Sequence, residues 1–595
     1  MLIALWLQPL TWPLAGAITL TGSFGEVRGQ TFHTGIDLSV GEKIGSVPVL
    51  AAGDGYVYRL RVSHTGFGKV IYVRHPQGLI TVYGHLSHFA PKGEALIQAL
   101  QTAQRRFEVE KYLSPHEWAV CAGDTLGWAG NSGYSFGPHL HFEVRSPTEK
   151  PLCPLRYLPP IPDTQPPAFF RLVVVPLTPT SQIEGWGERK RLRFRQVSRS
   201  ATERRYVSLD TPRVGGPVGL AYTAADRAGG GTAWLGLAHI GLYDEQGTCL
   251  YQASWETLDF DWRRFLRWHL DYLYQQVYRI GLAHLFVREG PAVPWEMGKG
   301  VLHLQPGEVR TFEIVARDFA GNTTRLRLTL RGTAPHPTIA PRRPLDPHRS
   351  WSVEEGLLLC REPFLTPWGD TVLPTRPLPL QGRVPPYLQP IRGGPPQPTH
   401  LHTCIPPGHP YQLRLSPTCT LQLWAETLQD TLYCQAQSQD RPWGPSYFIG
   451  DPLVPLRFPA ELRWKVPPQG SPQKWYPVFR PAGSPVWSPV LGARLEGQTW
   501  RIPVRSWGEY GLMYDTFPPQ IRFLGRAGPF WLFSIEDLGS GTNPYTLRVE
   551  GPKGPLYPEY YEPQRLLYVP QAAGRPLRIT ARDRVGNTTT RLFVR

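Results

Sequence analysis

The 595-residue chain lacks several features that would mark other kinds of protein. Its seven cysteines are Cys121, Cys153, Cys249, Cys360, Cys404, Cys419 and Cys434, and none forms a CxxC pair. An odd, scattered set argues against a complete disulfide framework. Cys404, Cys419 and Cys434 lie in one region, where they form one bridge or act as small buried hydrophobes. Beyond the N-terminus no segment reaches the ~18 consecutive apolar residues of a membrane-spanning helix. No run of about five like charges occurs, so the net charge of +16 is spread over folded surfaces and not held in a basic tail. That charge favours anionic partners such as an acidic polymer, and nucleic acid is not among the partners expected. Long helical patterns are scarce, whereas glycine (59) and proline (65) abound. The chain therefore reads as mostly β with many turns, and at this length as several domains.

Residues 1–18, "MLIALWLQPLTWPLAGAI", are apolar with a small-residue end, as in a secretory leader. They lack a basic start and carry Pro9 and Pro13, so the competing reading makes part of this stretch the first strand. Residues 19–158 form one β-rich unit of short alternating runs separated by turn signals, with a helix-like insertion at 94–112. A proline-rich joint follows, and then an internal repeat. Asp163 and Asp515 each open the pattern Asp-Thr-x-Pro-Pro, and the spans 316–324 and 581–589 each read Ala-Arg-Asp-x-x-Gly-Asn-Thr-Thr. The closing pattern is turn chemistry between two alternating strands. Residues 163–332 and 515–595 are thus two Ig-like β-sandwich modules of one type, the first enlarged by a helix-like insertion carrying Trp262, Phe265, Leu266, Leu270 and Leu273. A proline-rich linker (333–350) and a β-rich region of unassigned role (351–513) lie between them.

The chemistry concentrates in the first unit. "GPHLHFE" places His139 and His141 two apart in a strand-like run, so both imidazoles share a face. "HTGID" places His33 and Asp37 on a loop-like segment around Gly35, and "YGHLS" places His85 after a strand. Each piece alone is weak, because a strand histidine is usually a satisfied structural residue. The set, in one glycine-rich β-unit, describes a metal site in which histidines and a carboxylate hold one ion and leave a position open for water. His75 reads as a turn residue, and His64 and His88 as surface polar groups. Glu143 continues the face of His139 and His141; it orients a ligand or, as the blander reading, is a solvated strand glutamate.

With "GSFGEVR" ahead of them, these motifs fall in the order of a known family. Residues from about Leu20 to Pro154 resemble the LytM/lysostaphin-type zinc metallopeptidases, which cut peptide bonds in bacterial peptidoglycan. The insertion and the trailing modules resemble a longer subgroup of Gram-negative envelope proteins. The resemblance implies an open-groove β-domain, one Zn²⁺ held by His33, Asp37 and His141, and catalytic roles for His85 and His139. Zinc brings water from a pKa of about 15.7 to about 7 and polarises the scissile carbonyl. No HExxH glutamate is present, so a histidine takes the water proton. His85 or His139 does so, and the other stabilises the oxyanion. The expected partner is the peptide stem of peptidoglycan, and the expected location is the periplasm or envelope, with peripheral attachment, or outside the cell. The alternative function is a non-catalytic envelope scaffold or activator of other wall hydrolases.

Overall fold

The computed structural model describes residues 10–594 except 29–30, 42, 229–230, 262–268, 288–294 and 528–529. The chain is mostly β, in a succession of separately cored units. The first unit is built on an antiparallel sheet. Its strands run in the order Leu20–Gly22, Ile36–Ser39, His139–Arg145, Ile80–Gly84, Lys69–Arg74, Gly55–Val62 and Val109–Tyr112. A smaller sheet of Pro48–Leu50, Thr125–Ala129 and Leu86–Phe89 packs over it. Period-two alternation sorts the side chains of the central strand. Leu140, Phe142 and Val144 enter the core between the sheets, and His139, His141 and Glu143 project from the other face. Leu10 and Leu14, inside the stretch that resembles a leader, are buried in this same core, and Leu14 bridges Val49.

The helix-like insertion is shorter and earlier than the sequence predicts. A helix spans Pro91–Gln104, with Pro91 in its first turn and Arg105 in left-handed conformation closing it. Residues Val109–Tyr112 are instead a strand paired with Gly55–Val62. "VEKY" alternates, and the neighbouring sheet edge offers it hydrogen bonds that a helix end cannot.

After the proline-rich joint, the first repeat forms two sheets. A four-stranded one is centred on Ala168–Pro176 and Val218–Ala225, and a larger one on Val309–Arg317 and Thr323–Thr333. In its insertion a short helix, Tyr272–Tyr278, is capped by Asp271, whose carboxylate accepts from Tyr274 N. Trp262, Phe265 and Leu266, part of the helical face expected there, lie outside the described residues. The last repeat is two four-stranded sheets. Between them, 351–513 holds a small β unit and a sandwich of six- and five-stranded sheets. Cys404, Cys419 and Cys434 are unpaired there; Cys404 is half-buried, and Cys419 and Cys434 are buried small hydrophobes, with burial pushing the Cys434 thiol up to about 12. No helix among the described residues is long and apolar enough to cross a membrane.

Candidate metal centre

Sheet register assembles the centre. Asp37 stands directly opposite His141 across the pair Ile36–Ser39 and His139–Arg145, and Gly84 stands opposite His141 on its other side. Asp37 is therefore a strand residue, not part of a loop, and cross-strand partners on one face necessarily touch. His33 precedes this strand, held by backbone hydrogen bonds from His33 N to Glu26 O (2.8 Å) and from Gly25 N to His33 O (2.9 Å). Gly35 lets the chain pass close under the central strand: a Cβ there would lie 3.0 Å from His141 Cε1 and 2.9 Å from Glu143 Cγ. His85 follows Gly84 in left-handed conformation (φ 61°), which turns its ring toward His139 and His141, with ring centroids 4.8 and 5.9 Å away.

The structure thus brings together all five residues singled out from the sequence. Ligand atoms of His33, Asp37 and His141 lie within 4.8 Å of one another, and all three residues are buried. The outer ring nitrogens fix the protons. His33 Nδ1–H donates to Ser23 O (2.7 Å), His85 Nδ1–H to Ser132 O (2.7 Å), His139 Nδ1–H to Gly137 O (2.8 Å) and His141 Nε2–H to Glu143 Oε1 (3.0 Å). These partners accept only, so the tautomers follow from the network. In the neutral rings the inner nitrogens are bare. His33 Nε2 and His141 Nδ1 stand 3.1 Å apart, each 3.0 Å from Asp37 Oδ1. His139 Nε2 is 3.4 Å from that oxygen.

Two lone pairs and a carboxylate oxygen, buried and facing one another, demand positive charge at their centre. Without a metal, protons supply it. Burial opposes the charged form of His141, but its bonds to Asp37 and Glu143 push it up to about 9. Burial likewise opposes the Asp37 carboxylate, yet the charge of His33 and bonds from His139, His141 and His33 hold it well below the usual carboxylate range. Two imidazole nitrogens and one carboxylate oxygen are also the donor set of a zinc ion with an open position, so the residues fit that metal. Asp37 Oδ2 is not free for bidentate binding: Arg28 Nη2 pairs with it at 2.7 Å. His85 is different. Burial and the neighbouring His139 and His141 push it down to about 3, so it stays neutral with Nε2 bare.

Glu143 corrects the blander sequence reading. It is fully buried, not solvated, and accepts from His141, from Thr34 Oγ1 and from Arg145 Nε (2.5 Å). Burial would raise its pKa, but the Arg145 charge and the His141 bond bring it to about 2. Its place on the HxH face is the signal in the sequence, and Arg145, two further along that face, is the partner that no motif marks. His64 and His75 are also buried, not surface or simple turn residues. His75 bridges Asp54 O and Thr81 Oγ1, and His64 stacks on Phe107 with Tyr545 of the last module at its edge. They take no part in the centre.

Neighbouring units complete the rim. Phe67 stacks on His141 (centroids 4.8 Å), and the loop after Ser132 carries Tyr134 and Phe136, 62% and 87% exposed, an apolar edge open to a ligand. Lys69 donates to Ser87 O (2.6 Å) and pairs with Glu559 of the last module (2.8 Å). The His33 loop is anchored in the first sandwich: Phe24 and Phe32 enter that module's core, and Gly236 N donates to Ser23 Oγ (2.7 Å).

Comparison with known proteins agrees with the geometry. Residues 31–102, which hold His33, Asp37 and His85, match the model of peptidase family M23. The DD-carboxypeptidase/endopeptidase Mpg of Neisseria meningitidis serogroup B is 33% identical over 113 residues, 19% of this chain and 20% of that protein. Cell division protein DipM of Caulobacter vibrioides is 29% identical over 153 residues, 25% of this chain and 20% of that protein. The chain thus spans about a fifth of the length of these relatives. Among solved structures, the catalytic domain of the prophage-encoded M23 protein EnpA from Enterococcus faecalis is 26% identical, covering 24% of this chain and 94% of that one, with a TM-score of 0.18. With the ordered motifs, the residues matched and the relatives over the same stretch, the N-terminal domain of this chain is a peptidase family M23 domain of the LytM/lysostaphin type.

Proposed function

We propose that this domain is a zinc-dependent endopeptidase of the bacterial cell envelope that hydrolyses peptide cross-links in peptidoglycan. The observation that carries the reading is the convergence of His33 Nε2, Asp37 Oδ1 and His141 Nδ1, the two imidazole nitrogens left bare by the acceptors behind their rings. Zinc held there would supply a water acidic enough to ionise near neutral pH and a Lewis acid for the scissile carbonyl. The substrate class rests on the family and on a relative named as a DD-carboxypeptidase/endopeptidase, not on the groove.

The chain's own groups divide the proton work. His85, with Nδ1 locked on Ser132 O and its Nε2 turned to the centre, accepts the proton of the attacking water and returns it to the leaving amine. His139 has both ring nitrogens facing oxygens, Gly137 O and Asp37 Oδ1, so when the ring is protonated its Nε2–H points toward the centre and the developing oxyanion. Arg28 keeps Asp37 monodentate, and Glu143 keeps the His141 proton on Nε2.

The test is digestion of purified peptidoglycan with mass spectrometry of released fragments, alongside zinc analysis. Wild type should carry one zinc per chain at this centre and create new peptide ends, and chelation should stop it. His85→Ala should keep zinc and lose turnover, whereas Asp37→Ala should lose both. A protein that holds zinc here yet releases no new ends would defeat the enzymatic reading. One observation favours that second reading, a scaffold or activator: Glu559 of the last module is paired to Lys69 at the rim, where a protein surface would sit.

A further inference from the structure

The two repeats share more than their opening and closing patterns. In the first, Asp163 of the Asp-Thr-x-Pro-Pro opening, Asp318 of the Ala-Arg-Asp turn and Asp226 place carboxylate oxygens within 4.8 Å of one another. In the last, Asp515, Asp583 and Asp537 do the same. The third acid is invisible as a motif. Asp226 directly follows the strand Val218–Ala225 and Asp537 directly follows Phe530–Glu536, and each of these strands pairs with the first strand of its module. The same trio therefore arises twice from the same topological positions.

The two trios differ in how their charge is satisfied. In the last module Asp515 accepts from Phe517 N and Ser540 N, Asp537 from Gly539 N and Gly541 N, and Asp583 from Val585 N, Asn587 N and Asn587 Nδ2. In the first, Asp163 Oδ1 accepts from Gln165 N and Asp318 Oδ1 from Asn322 N. Asp163 Oδ2, Asp226 Oδ1 and Asp318 Oδ2 are buried with no hydrogen-bond partner, and Asp226 and Asp318 are each only 3% exposed. Unpartnered carboxylate oxygens in such a place are costly: isolated buried charge is compensated by a proton, a partner or a metal. The Arg204 charge favours the Asp226 carboxylate but is outweighed: burial and the Asp318 charge push Asp226 up to about 8, and burial pushes Asp318 up to about 6.

We propose that Asp163, Asp226 and Asp318 bind a calcium ion at the joint between the metallopeptidase domain and the first sandwich. Three carboxylates with no sulfur or imidazole among them suit a hard, oxygen-seeking cation, and a site that offers one free oxygen from each of three acids, with water filling the rest, suits the flexible coordination of Ca²⁺ better than the strict octahedron of Mg²⁺. The ion would tie the proline-rich joint, through Asp163, to a strand end and to the repeat's closing turn. It would also brace a segment that reaches the catalytic side. Asp226 exchanges both backbone hydrogen bonds with Leu235, Leu235 enters the first domain's core, and Gly236 N donates to Ser23, whose carbonyl holds His33.

The experiment uses the full chain, depleted with a calcium-selective chelator and reloaded with zinc. Calcium titration by calorimetry and thermal unfolding are compared for wild type, Asp226→Asn, Asp163→Asn and Asp515→Asn. Wild type should take up calcium with a rise in unfolding temperature. Asp226→Asn, which keeps shape and removes charge, and the half-exposed Asp163→Asn should each lose one bound ion and the calcium-dependent rise while retaining zinc. Asp226→Asn should unfold no earlier than wild type without calcium, because it relieves buried like charge; were that variant to misfold, Asp163→Asn alone decides the matter. No calcium uptake by wild type at millimolar calcium would overturn the assignment. So would an unchanged ion count in the Asp163 and Asp226 variants, or loss of the ion in Asp515→Asn alone.

Discussion

Glu143→Gln tests whether the proton on His141 is set from behind. The wild-type carboxylate accepts on both sides, from His141 Nε2 at 3.0 Å and from Arg145 Nε at 2.5 Å, with Thr34 Oγ1 as a third donor. Glutamine has the same shape but only one acceptor oxygen. If that oxygen stays on His141, the amide NH₂ faces the guanidinium, donor against donor. The Arg145 side chain is 7% exposed and cannot turn to water for compensation, and charge-assisted bonds are roughly twice as strong as neutral ones. The oxygen therefore goes to Arg145 and the NH₂ to His141. His141 then carries its proton on Nδ1, where the metal lone pair must be. Loss of such an orienting partner weakens metal affinity by ~10–100-fold, or about 1.4–2.7 kcal/mol. The buried ion pair is lost as well, which destabilises the fold by about 3–5 kcal/mol. Zinc affinity measured by chelator competition, on samples shown folded by circular dichroism, checks the first number, and denaturant unfolding of the zinc-free protein checks the second. A Glu143→Gln protein that binds zinc within about twofold of wild type would refute the tautomer argument, since such a loss is predicted at tenfold or more.

Three further outcomes are expected. Gly35→Ala forces a methyl first against the Phe142 carbonyl oxygen and then against the His141 and Glu143 side chains, so it should cost ~1–3 kcal/mol in unfolding free energy and lower zinc affinity alongside. Asp271 joins a buried pair with Arg189 (2.8 Å) and caps the Tyr272–Tyr278 helix; Asp271→Ala should destabilise by about 3–5 kcal/mol at pH 7. Burial would raise the Asp271 pKa, but the Arg189 charge and the bond from His284 hold it far below the usual range. A depressed folded pKa gives stability that is complete above the unfolded value near ~3.9 and drains as pH falls below it. The wild-type advantage in unfolding temperature over Asp271→Ala should therefore be flat from pH 7 to about 5 and shrink below about 4. Finally, Lys69→Ala and Glu559→Ala should couple by less than ~1 kcal/mol in a double-mutant cycle on unfolding, because both groups keep contact with water, at 18% and 22% exposure.

Local periodicity made much of this protein readable. Strand alternation puts His139 and His141 on one face, and the repeat's opening and closing patterns recur at equivalent places in two β-rich stretches. Boundaries are less legible: the helical stripe of Leu96, Ala99, Leu100 and Ala103 carries a helix expectation on to Tyr112, yet a distant sheet edge recruits Val109–Tyr112. Burial was least legible. His64 looks like a surface residue, His75 like a turn residue and Glu143 like a solvated one, until Tyr545, Thr81 and Arg145 pack over them.

The residues by themselves determined the chemistry available, namely which donors exist and how they alternate along each strand, because spacing within an element is a property of the backbone. Only the tertiary structure decided their states. Asp37 opposite His141, the acceptor behind each imidazole, and Asp226 as third member of an acidic trio all depend on register and chain crossing between residues far apart in sequence. Proton positions and charge in a buried site are set by those neighbours, and no stretch of the chain read alone contains them.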